Sequence, residues 1–348
     1  MKMGKLEEGI GDYLANLDPG ILDLPHPIES IKIRRIGLGE SNLNLLVIIN
    51  AKKFVVRVNM DLNSPDKSMR EYESLRIVSH LGVAPRVFHY EPSKEYAGET
   101  FVILEYLEGK TLDSMEEIED HTIQSLGNVV AQLHKSDTRN LSGYLRKRNS
   151  SKVGLLGEIE GRILYIKRKR QTMLEEDGYW RNLFERPFRL LKQKEFRKEP
   201  SYVLGHGDIC PQNVIVSHGK LRLIDWEDLA LIDPALEIAV IFDAFNFSEK
   251  QREAFLEAYQ KDRNVHELRS SIADFLPFQM FGVFCWAVMH VYEIGEREMH
   301  DAFLKEQHLG NHIHYAQEMF GKCKNERIID KEVLWDASGI FPKRYLSR

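Results

Sequence analysis

Two polar motifs in the C-terminal half of the chain contain residue types suited to metal binding and proton transfer. The first is HGDICPQN, from His206 to Asn213, and the second is IDWE, from Ile224 to Glu227. Amide and carboxylate oxygens are hard ligands that suit Mg²⁺, which usually takes only one or two protein ligands. The pattern predicts that Asn213 and Asp225 hold Mg²⁺.

The residues between these motifs indicate how the two ligands meet. Val214–Val216 and Leu221–Ile224 are short apolar runs separated by the turn-like stretch SHGK. This pattern predicts a β-hairpin, and the chain that leaves Asn213 in an antiparallel hairpin returns beside it at Asp225. We therefore expect the amide and the carboxylate to lie close together at the open end.

Asp208 precedes Asn213 by five residues on a predicted loop and is expected to face the same point. A carboxylate there can orient a substrate hydroxyl and accept its proton as the bond to phosphorus forms. Gly207 permits a sharp turn, and His206 is expected to support the loop by packing or hydrogen bonding. The alternative is a polar loop capped by Asp and Asn, which explains one such residue better than this ordered set.

A second group of candidate residues lies in the N-terminal half, beginning with the segment GLGES from Gly37 to Ser41. Gly37 and Gly39 would permit close approach of the backbone to phosphates between two strands, with Ser41 at the end of the turn. Arg57 lies on a predicted strand, and Glu71 in the next helix could hold it against the phosphates of ATP. The alternatives are an ordinary turn, an exposed strand arginine and a surface glutamate.

The hydrophobic pattern predicts a β-rich N-terminal region followed by a helical one. β-Branched runs predict strands, and a stretch with few such residues predicts a helix. The strands cover 31–36, 44–50, 53–58, 87–90 and 100–105, and the helix covers 66–81. The last strand leads through FVILEYLEG into a hinge, where the backbone of Glu105 and Leu107 could bind adenine. After Gly109, apolar residues recur at helical spacing.

Composition excludes several classes of protein. The 348-residue chain has a net charge of −5, so the whole molecule is not a general binder of polyanions. Its three cysteines lie far apart with no C-x-x-C spacing, so their pattern indicates neither a zinc site nor a disulfide framework. Met1–Ile10 lacks the apolar core of a secretory signal. The apolar run Phe275–Ile294 contains Pro277 and favours a buried helix over a membrane span. We expect a cytoplasmic protein with no membrane partner.

Residues from about 31 to 245 resemble the aminoglycoside phosphotransferase and choline kinase superfamily, whose members are relatives of protein kinases. The resemblance is carried by HGDICPQN, by IDWE and by LIDPALEIA from Leu231 to Ala239. It implies that Asp208 is the catalytic base and that ATP and Mg²⁺ are the cofactors. It also implies that Asn213 and Asp225 hold the metal, that Arg57 and Glu71 form an ion pair beside the phosphates, and that Glu105 to Leu107 is the hinge.

The resemblance further implies an α+β, bilobal, protein-kinase-like fold. An N-terminal extension would cover residues 1–30, a small β-rich nucleotide-binding lobe would cover 31–106, and a larger, mainly helical lobe would cover 107–348. Three positions depart from the family pattern. Arg57 stands where many members have Lys, Glu237 stands where Asp is frequent, and Ile209–Cys210 replaces a more polar pair.

The acceptor of the phosphoryl group is less well determined by the sequence. Residues 141–200 contain 16 Lys/Arg against 8 Asp/Glu, with interleaved aromatic residues, which suits RNA. A charged helical insert explains the same composition. A set of acidic residues near an aromatic helix suits a cationic substrate instead; this set is Glu227, Asp228, Glu293, Glu296 and Glu298.

These observations favour phosphoryl transfer from ATP to a hydroxyl of a small metabolite or an aminoglycoside-like compound. The first alternative is a kinase that phosphorylates a ribose hydroxyl of tRNA through the basic segment 141–200. The second is a catalytically inactive scaffold that binds nucleotides, although such a module would not require all of Asp208, Asn213 and Asp225. The oligomeric state does not follow from the sequence.

Overall fold

The computed structural model describes residues 3–38, 42–61, 64–139, 141, 145–170, 178–196, 201–260, 265–297 and 302–346. The chain forms two compact units, each assembled from several stretches of sequence. The first unit comprises Met1–Arg146, Val203–Leu231 and Phe247–Asp262. The second comprises Lys147–Tyr202, Ile232–Asn246 and Arg263–Arg348. The lobe boundaries after residues 30 and 106 stay predictions.

The first unit contains an antiparallel five-stranded sheet. Its strands are β1 (Ile31–Leu38), β2 (Asn42–Ile49), β3 (Lys52–Asn59), β4 (Val87–Glu91) and β5 (Phe101–Glu105), in the spatial order β1-β2-β3-β5-β4. The β2–β3 turn lies at Asn50 and Ala51, which have φ values of 46° and 68°. It is therefore one residue earlier than the gap between the predicted strands 44–50 and 53–58, because two positive φ values match the twist of a two-residue hairpin.

The N-terminal helix α1 (Met3–Asn16) packs against this sheet. Ile10 and Leu14 are completely buried, and they share one hydrophobic cluster with Val47 and Phe54 of the sheet. The hydroxyl of Tyr13 lies 2.6 Å from Nε2 of His89 on β4. Residues predicted only as an extension therefore complete the core on one face of the sheet.

Helices and a hairpin make up the rest of the first unit. The helices are α2 (Lys67–Val78), α3 (Asp120–His134) and α8 (Glu249–Tyr259), and the short strands are β6 (Lys110–Thr111), β7 (Val203–Gly205), β8 (Val214–Ser217), β9 (Lys220–Leu223) and β10 (Ala230–Ile232), whose last residue already belongs to the second unit. Gly127 permits close packing of α3 and α8, because a Cβ there would lie 2.5 Å from the carbonyl oxygen of Phe255. A hydrogen bond of 2.8 Å between His134 and Tyr259 joins the same helices.

The second unit is helical in its described part. Its helices are α4 (Lys152–Lys169), α5 (Gly178–Trp180), α6 (Arg186–Gln193), α7 (Pro234–Ala244), α9 (Val265–Glu296), α10 (Ala302–Asn325), α11 (Ala337–Ile340) and α12 (Lys343–Leu346). Ile159, Ile163 and Ile166 of α4 are buried against α9.

Helix α9 contains the apolar run Phe275–Ile294. The stretch His266–Glu296 is, within the described residues, one helix whose length and composition would permit it to cross a membrane, and 61% of its most apolar window is buried in the protein. Phe281, Phe284 and Val288 are completely buried in the core of the second unit. The apolar character of α9 is therefore used in helix packing.

The packing of α1 predicts that it contributes to the stability of the first unit. Truncating the buried side chain in Ile10→Ala is expected to lower the free energy of unfolding by about 2–5 kcal/mol, because apolar contacts are lost and a cavity remains. Urea unfolding measures this loss. Glu8→Ala, at an exposed position of the same helix, is the control and should change little. A negligible effect of Ile10→Ala would show that α1 is not part of the folded unit.

Candidate active site

The hairpin of β8 and β9 brings the two predicted metal ligands together. Val214 pairs with Leu223, and Ser217 pairs with Lys220. Beyond the last pair, the amide of Ile224 donates to the carbonyl oxygen of Asn213 at 2.9 Å. Asp225, the next residue, therefore lies beside Asn213 at the open end of the hairpin, as the sequence predicted.

The loop that carries Asp208 is fixed by its neighbours. Gly207 has a φ of 86°, and a Cβ there would lie 2.4 Å from the carbonyl oxygen of Asp228, so a larger residue would not fit. His206 is completely buried, and its Nε2 donates to the carbonyl oxygen of Ile224 at 3.0 Å. Its Nδ1 accepts from the amide of Asp208 at 3.3 Å. A neutral imidazole satisfies both contacts, so His206 joins the Asp208 loop to Ile224, the residue that follows β9 and precedes Asp225.

Asp208 and Asn213 are in direct contact. The side-chain nitrogen of Asn213 donates to Oδ2 of Asp208 at 2.9 Å and to its carbonyl oxygen at 3.0 Å. These two bonds orient the amide, so that its oxygen is the atom available for a metal ion. Asp208 itself is exposed, while Asn213 is buried. The carboxylate of Asp208 can therefore contact a substrate while the amide of Asn213 holds that carboxylate in place.

Arg57 on β3 lies among three carboxylates. Its Nε is 3.1 Å from Glu71 on α2, and its Nη2 is 2.6 Å from Asp225 and 3.7 Å from Glu227. Burial alone would lower the pKa of Arg57, but Glu71, Asp225 and Glu227 outweigh it and raise the pKa. Burial also raises the pKa of Glu71; Arg57 opposes this shift, whereas Asp225 and Glu227 add to it. The predicted pair of Arg57 and Glu71 is thus present, and it extends to the proposed metal ligand.

Two further residues, a cation and a neutral amide, belong to this cluster and were not predicted from the sequence. Nζ of Lys67 lies 2.8 Å from Glu227, and the amide nitrogen of Asn42 lies 3.5 Å from the same carboxylate. Lys67 precedes Glu71 by one helical turn, so both project from the same face of α2. That spacing was a usable signal for Lys67, whereas nothing in the local sequence linked either residue to Glu227.

Asp225 has a left-handed backbone, with φ 67° and ψ 66°. A non-glycine residue in this region is uncommon and costs about 1–3 kcal/mol, which the surrounding structure must offset. Here two hydrogen bonds stabilise the turn. Arg57 donates one to the carboxylate of Asp225, and the amide of Ile224 donates the other to the carbonyl oxygen of Asn213. The conformation directs the carboxylate of Asp225 toward Arg57.

Some of the predicted nucleotide-binding residues lie within the part of the chain that the structure describes. Glu105 ends β5, and its amide donates to the carbonyl oxygen of Arg86 at 2.8 Å. Leu107 is half-buried two residues later. Gly37 continues β1 and pairs with Asn44, so it lies in a strand and not in the predicted turn. Gly39 and Ser41 lie outside the described residues.

The family model described as "Phosphotransferase enzyme family" matches residues 32–270. This chain belongs to that family. Among curated proteins, the phosphotransferase is 25% identical to Protein LicA of Haemophilus influenzae over 251 residues, which cover 70% of this chain and 68% of that protein. The family shows that the chain is a kinase-type transferase.

Solved structures confirm the predicted α+β, kinase-like fold of the phosphotransferase. Choline kinase LicA from Streptococcus pneumoniae superimposes with a TM-score of 0.57 at 19% identity, covering 91% of this chain and 99% of that one. Ethanolamine kinase from Plasmodium vivax gives a TM-score of 0.59 at 17% identity, covering 90% and 85%. At these identities the likeness establishes the fold only.

The donor set of the phosphotransferase suits a hard divalent cation. Asn213 offers an amide oxygen, and Asp225 offers a carboxylate whose other contact is Arg57. Among the described residues, no group of three or more His, Cys, Asp or Glu is arranged for a metal ion. Mg²⁺ commonly binds through one or two protein oxygens together with phosphate oxygens and water. These two residues would therefore hold it.

Removing the cation of this cluster should lower the free energy of unfolding more than neutralising one of its carboxylates. Arg57→Met leaves three carboxylates without their shared cation, and breaking a buried pair in this way costs about 3–5 kcal/mol. Glu71→Gln keeps a hydrogen-bond acceptor, and Asp225 and Glu227 still neutralise Arg57, so the loss should be about 1–2 kcal/mol. Urea unfolding of both variants measures the difference. An equal loss in both would contradict this order.

The loss in Arg57→Met should also depend on pH. Without the guanidinium, burial raises the pKa of Glu71 further. A carboxyl group with a raised pKa in the folded state stabilises the fold when protonated and loses that contribution as the pH rises. The destabilisation should therefore be larger at about pH 8 than at about pH 6.

Proposed function

We propose that this phosphotransferase moves the γ-phosphate of ATP to a hydroxyl group of a small molecule. The observation that carries the proposal is the meeting of Asp208, Asn213 and Asp225 at one end of a hairpin. Asp225 also contacts the buried Arg57 at 2.6 Å. A protein that only binds nucleotides would not require an exposed carboxylate, Asp208, held by Asn213 next to Asp225.

Each of these residues has a distinct role in the proposed reaction. Asn213 and Asp225 hold Mg²⁺, which supplies positive charge to the phosphate oxygens when bound. Arg57 adds a fixed cation beside them, held by Glu71. The amide of Glu105 already donates a hydrogen bond to the carbonyl oxygen of Arg86. Glu105 would therefore offer its carbonyl oxygen to adenine, and Leu107 would offer its amide. Gly37, Gly39 and Ser41 remain predicted contacts of the phosphates.

Asp208 is the proposed base. The acceptor oxygen forms a bond to the γ-phosphorus, and the bond from that phosphorus to the bridging oxygen breaks. ADP leaves with the electron pair, and the hydroxyl proton passes to Asp208. The amide of Asn213 keeps the carboxylate in one orientation during this step, which is the positioning that phosphoryl transfer requires.

The first acceptors to consider are choline and ethanolamine, which appear in the names of structural relatives. The acidic residues predicted to attract a cationic substrate give this choice no support, because each described one is paired with a base. Their partners are Lys67 for Glu227, Arg146 for Asp228, His290 for Glu293 and Lys169 for Glu296, and Glu298 lies outside the described residues. Amino sugars remain the second class of acceptor.

The basic segment 141–200 gives no specific support to RNA as the acceptor. Several of its cations form ion pairs within the second unit, among them Lys169 with Glu296, Arg186 with Asp330 and Lys192 with Glu160. Such pairing fits the charged helical insert that the sequence left open. A tRNA kinase is therefore an outcome of the test below, and so is an inactive scaffold. The cytoplasmic location and the lack of a membrane partner stay predictions.

Transfer of labelled γ-phosphate tests the proposal. Wild-type protein with ATP and Mg²⁺ is expected to label choline, ethanolamine or an amino sugar, and total tRNA should stay unlabelled. Asp208→Asn keeps the contact with Asn213 but cannot accept the proton, so turnover should fall by about 10²–10⁴-fold. Calorimetry should show nearly unchanged binding of Mg-ATP to this variant.

The outcomes separate the alternatives. Label in tRNA would replace the small-molecule acceptor with RNA. Binding of Mg-ATP without transfer to any acceptor of the panel would favour the inactive scaffold. Normal turnover by Asp208→Asn would exclude Asp208 as the base.

A further inference from the structure

The segment Val83–Arg86 lies between strand β9 and the end of β5 in the first unit. On one side, the amide of Leu223 donates to the carbonyl oxygen of Val83 at 2.7 Å. On the other side, the amide of Glu105 donates to the carbonyl oxygen of Arg86 at 2.8 Å, and the amide of Arg86 donates to the carboxylate of Glu105 at 2.9 Å. The segment therefore joins the hinge residue to the hairpin that ends at Asp225.

Arg222 on β9 connects the same elements directly. Its Nη2 donates to the carbonyl oxygen of Ala84 at 2.8 Å and to Oε2 of Glu105 at 3.0 Å. Asp225 follows Arg222 by three residues. One side chain thus links the residue proposed to meet adenine with the turn proposed to hold the metal.

The contacts of Arg222 contribute little net free energy to folding. The Nε of Arg222 is buried without a hydrogen-bond partner among the described residues. A buried donor left in this way costs about 1–3 kcal/mol. The ion pair returns little, because the side chain of Glu105 is 38% exposed and partly exposed pairs contribute about 0–1 kcal/mol. The contacts of Arg222 fix a position more than they strengthen the fold.

We propose that Arg222 is a positioning residue that sets the spacing between the hinge at Glu105 and the metal-binding turn at Asp225. This inference rests on the proposed function, because that spacing matters only to a ligand that reaches both ends. A nucleotide with its metal ion spans the two, whereas adenosine meets only the hinge. Arg222 therefore acts on the binding of Mg-ATP and not on the binding of the base alone.

Calorimetry with two ligands tests this role. Arg222→Met removes both contacts of the guanidinium together with its buried Nε donor. Mg-ATP should bind about tenfold more weakly to this variant, which is the order of one lost hydrogen bond to a charged group. Adenosine should bind as it does to the wild type. Arg222→Lys can reach one of the two acceptors and should lie between.

Lys220→Met is the matched control, since Lys220 is exposed on the same strand, and it should leave both affinities unchanged. Equal loss of adenosine and Mg-ATP binding in Arg222→Met would assign a general structural role to Arg222 and overturn the inference, as would unchanged Mg-ATP binding. Absence of Mg-ATP binding to the wild type would instead overturn the proposed function and this inference with it.

Discussion

The buried guanidinium of Arg57 is the constraint on which the candidate site depends. A charge removed from water is tolerated only when opposite charges and hydrogen bonds surround it. Two elements supply them: Glu71 comes from α2, while Asp225 and Glu227 come from the turn after β9. Because these elements must converge on one side chain of β3, the sheet, the helix and the hairpin are fixed relative to each other within the first unit.

The same constraint explains why the turn at Asp225 can hold an unusual backbone. Asp225 is in the left-handed region, and its contact with Arg57 helps to offset the cost. His206 adds a second connection, since its ring joins the Asp208 loop to Ile224. Asp208, Asn213 and Asp225 are therefore positioned by contacts that form before any substrate is present, as preorganised catalysis requires.

The parts of this arrangement that depend on short sequence separations could be predicted from the sequence. The hairpin between Asn213 and Asp225 followed from two apolar runs and a turn, and Gly207 followed from the need for a sharp bend. The pairing of Arg57 with Glu71 was a prediction that used the family resemblance as well. Each of these relations is encoded in local pattern or in a known motif.

Other parts depend on contacts between distant segments and leave no local signal. Glu227 was expected to attract a cationic substrate, yet it is bound by Lys67 from another element. Arg222 looked like an ordinary strand residue, and only the fold shows that it reaches Ala84 and Glu105. Helix α1 was not predicted although Leu6, Ile10 and Leu14 recur at helical spacing; only the sheet that the helix covers leaves no local signal. The acceptor is still more difficult to predict from the sequence. The family motifs indicate phosphoryl transfer, whereas the choice of substrate depends on contacts outside those motifs.

The most direct test of the account is calorimetric titration of the wild-type protein with ATP, once with Mg²⁺ and once with a chelator. If Asn213 and Asp225 hold the metal beside Arg57, ATP should bind much more tightly with Mg²⁺, and Asp225→Asn should remove most of that difference. Equal affinity with and without the metal, or no binding of ATP at all, would contradict the assignment of this cluster as the nucleotide and metal site.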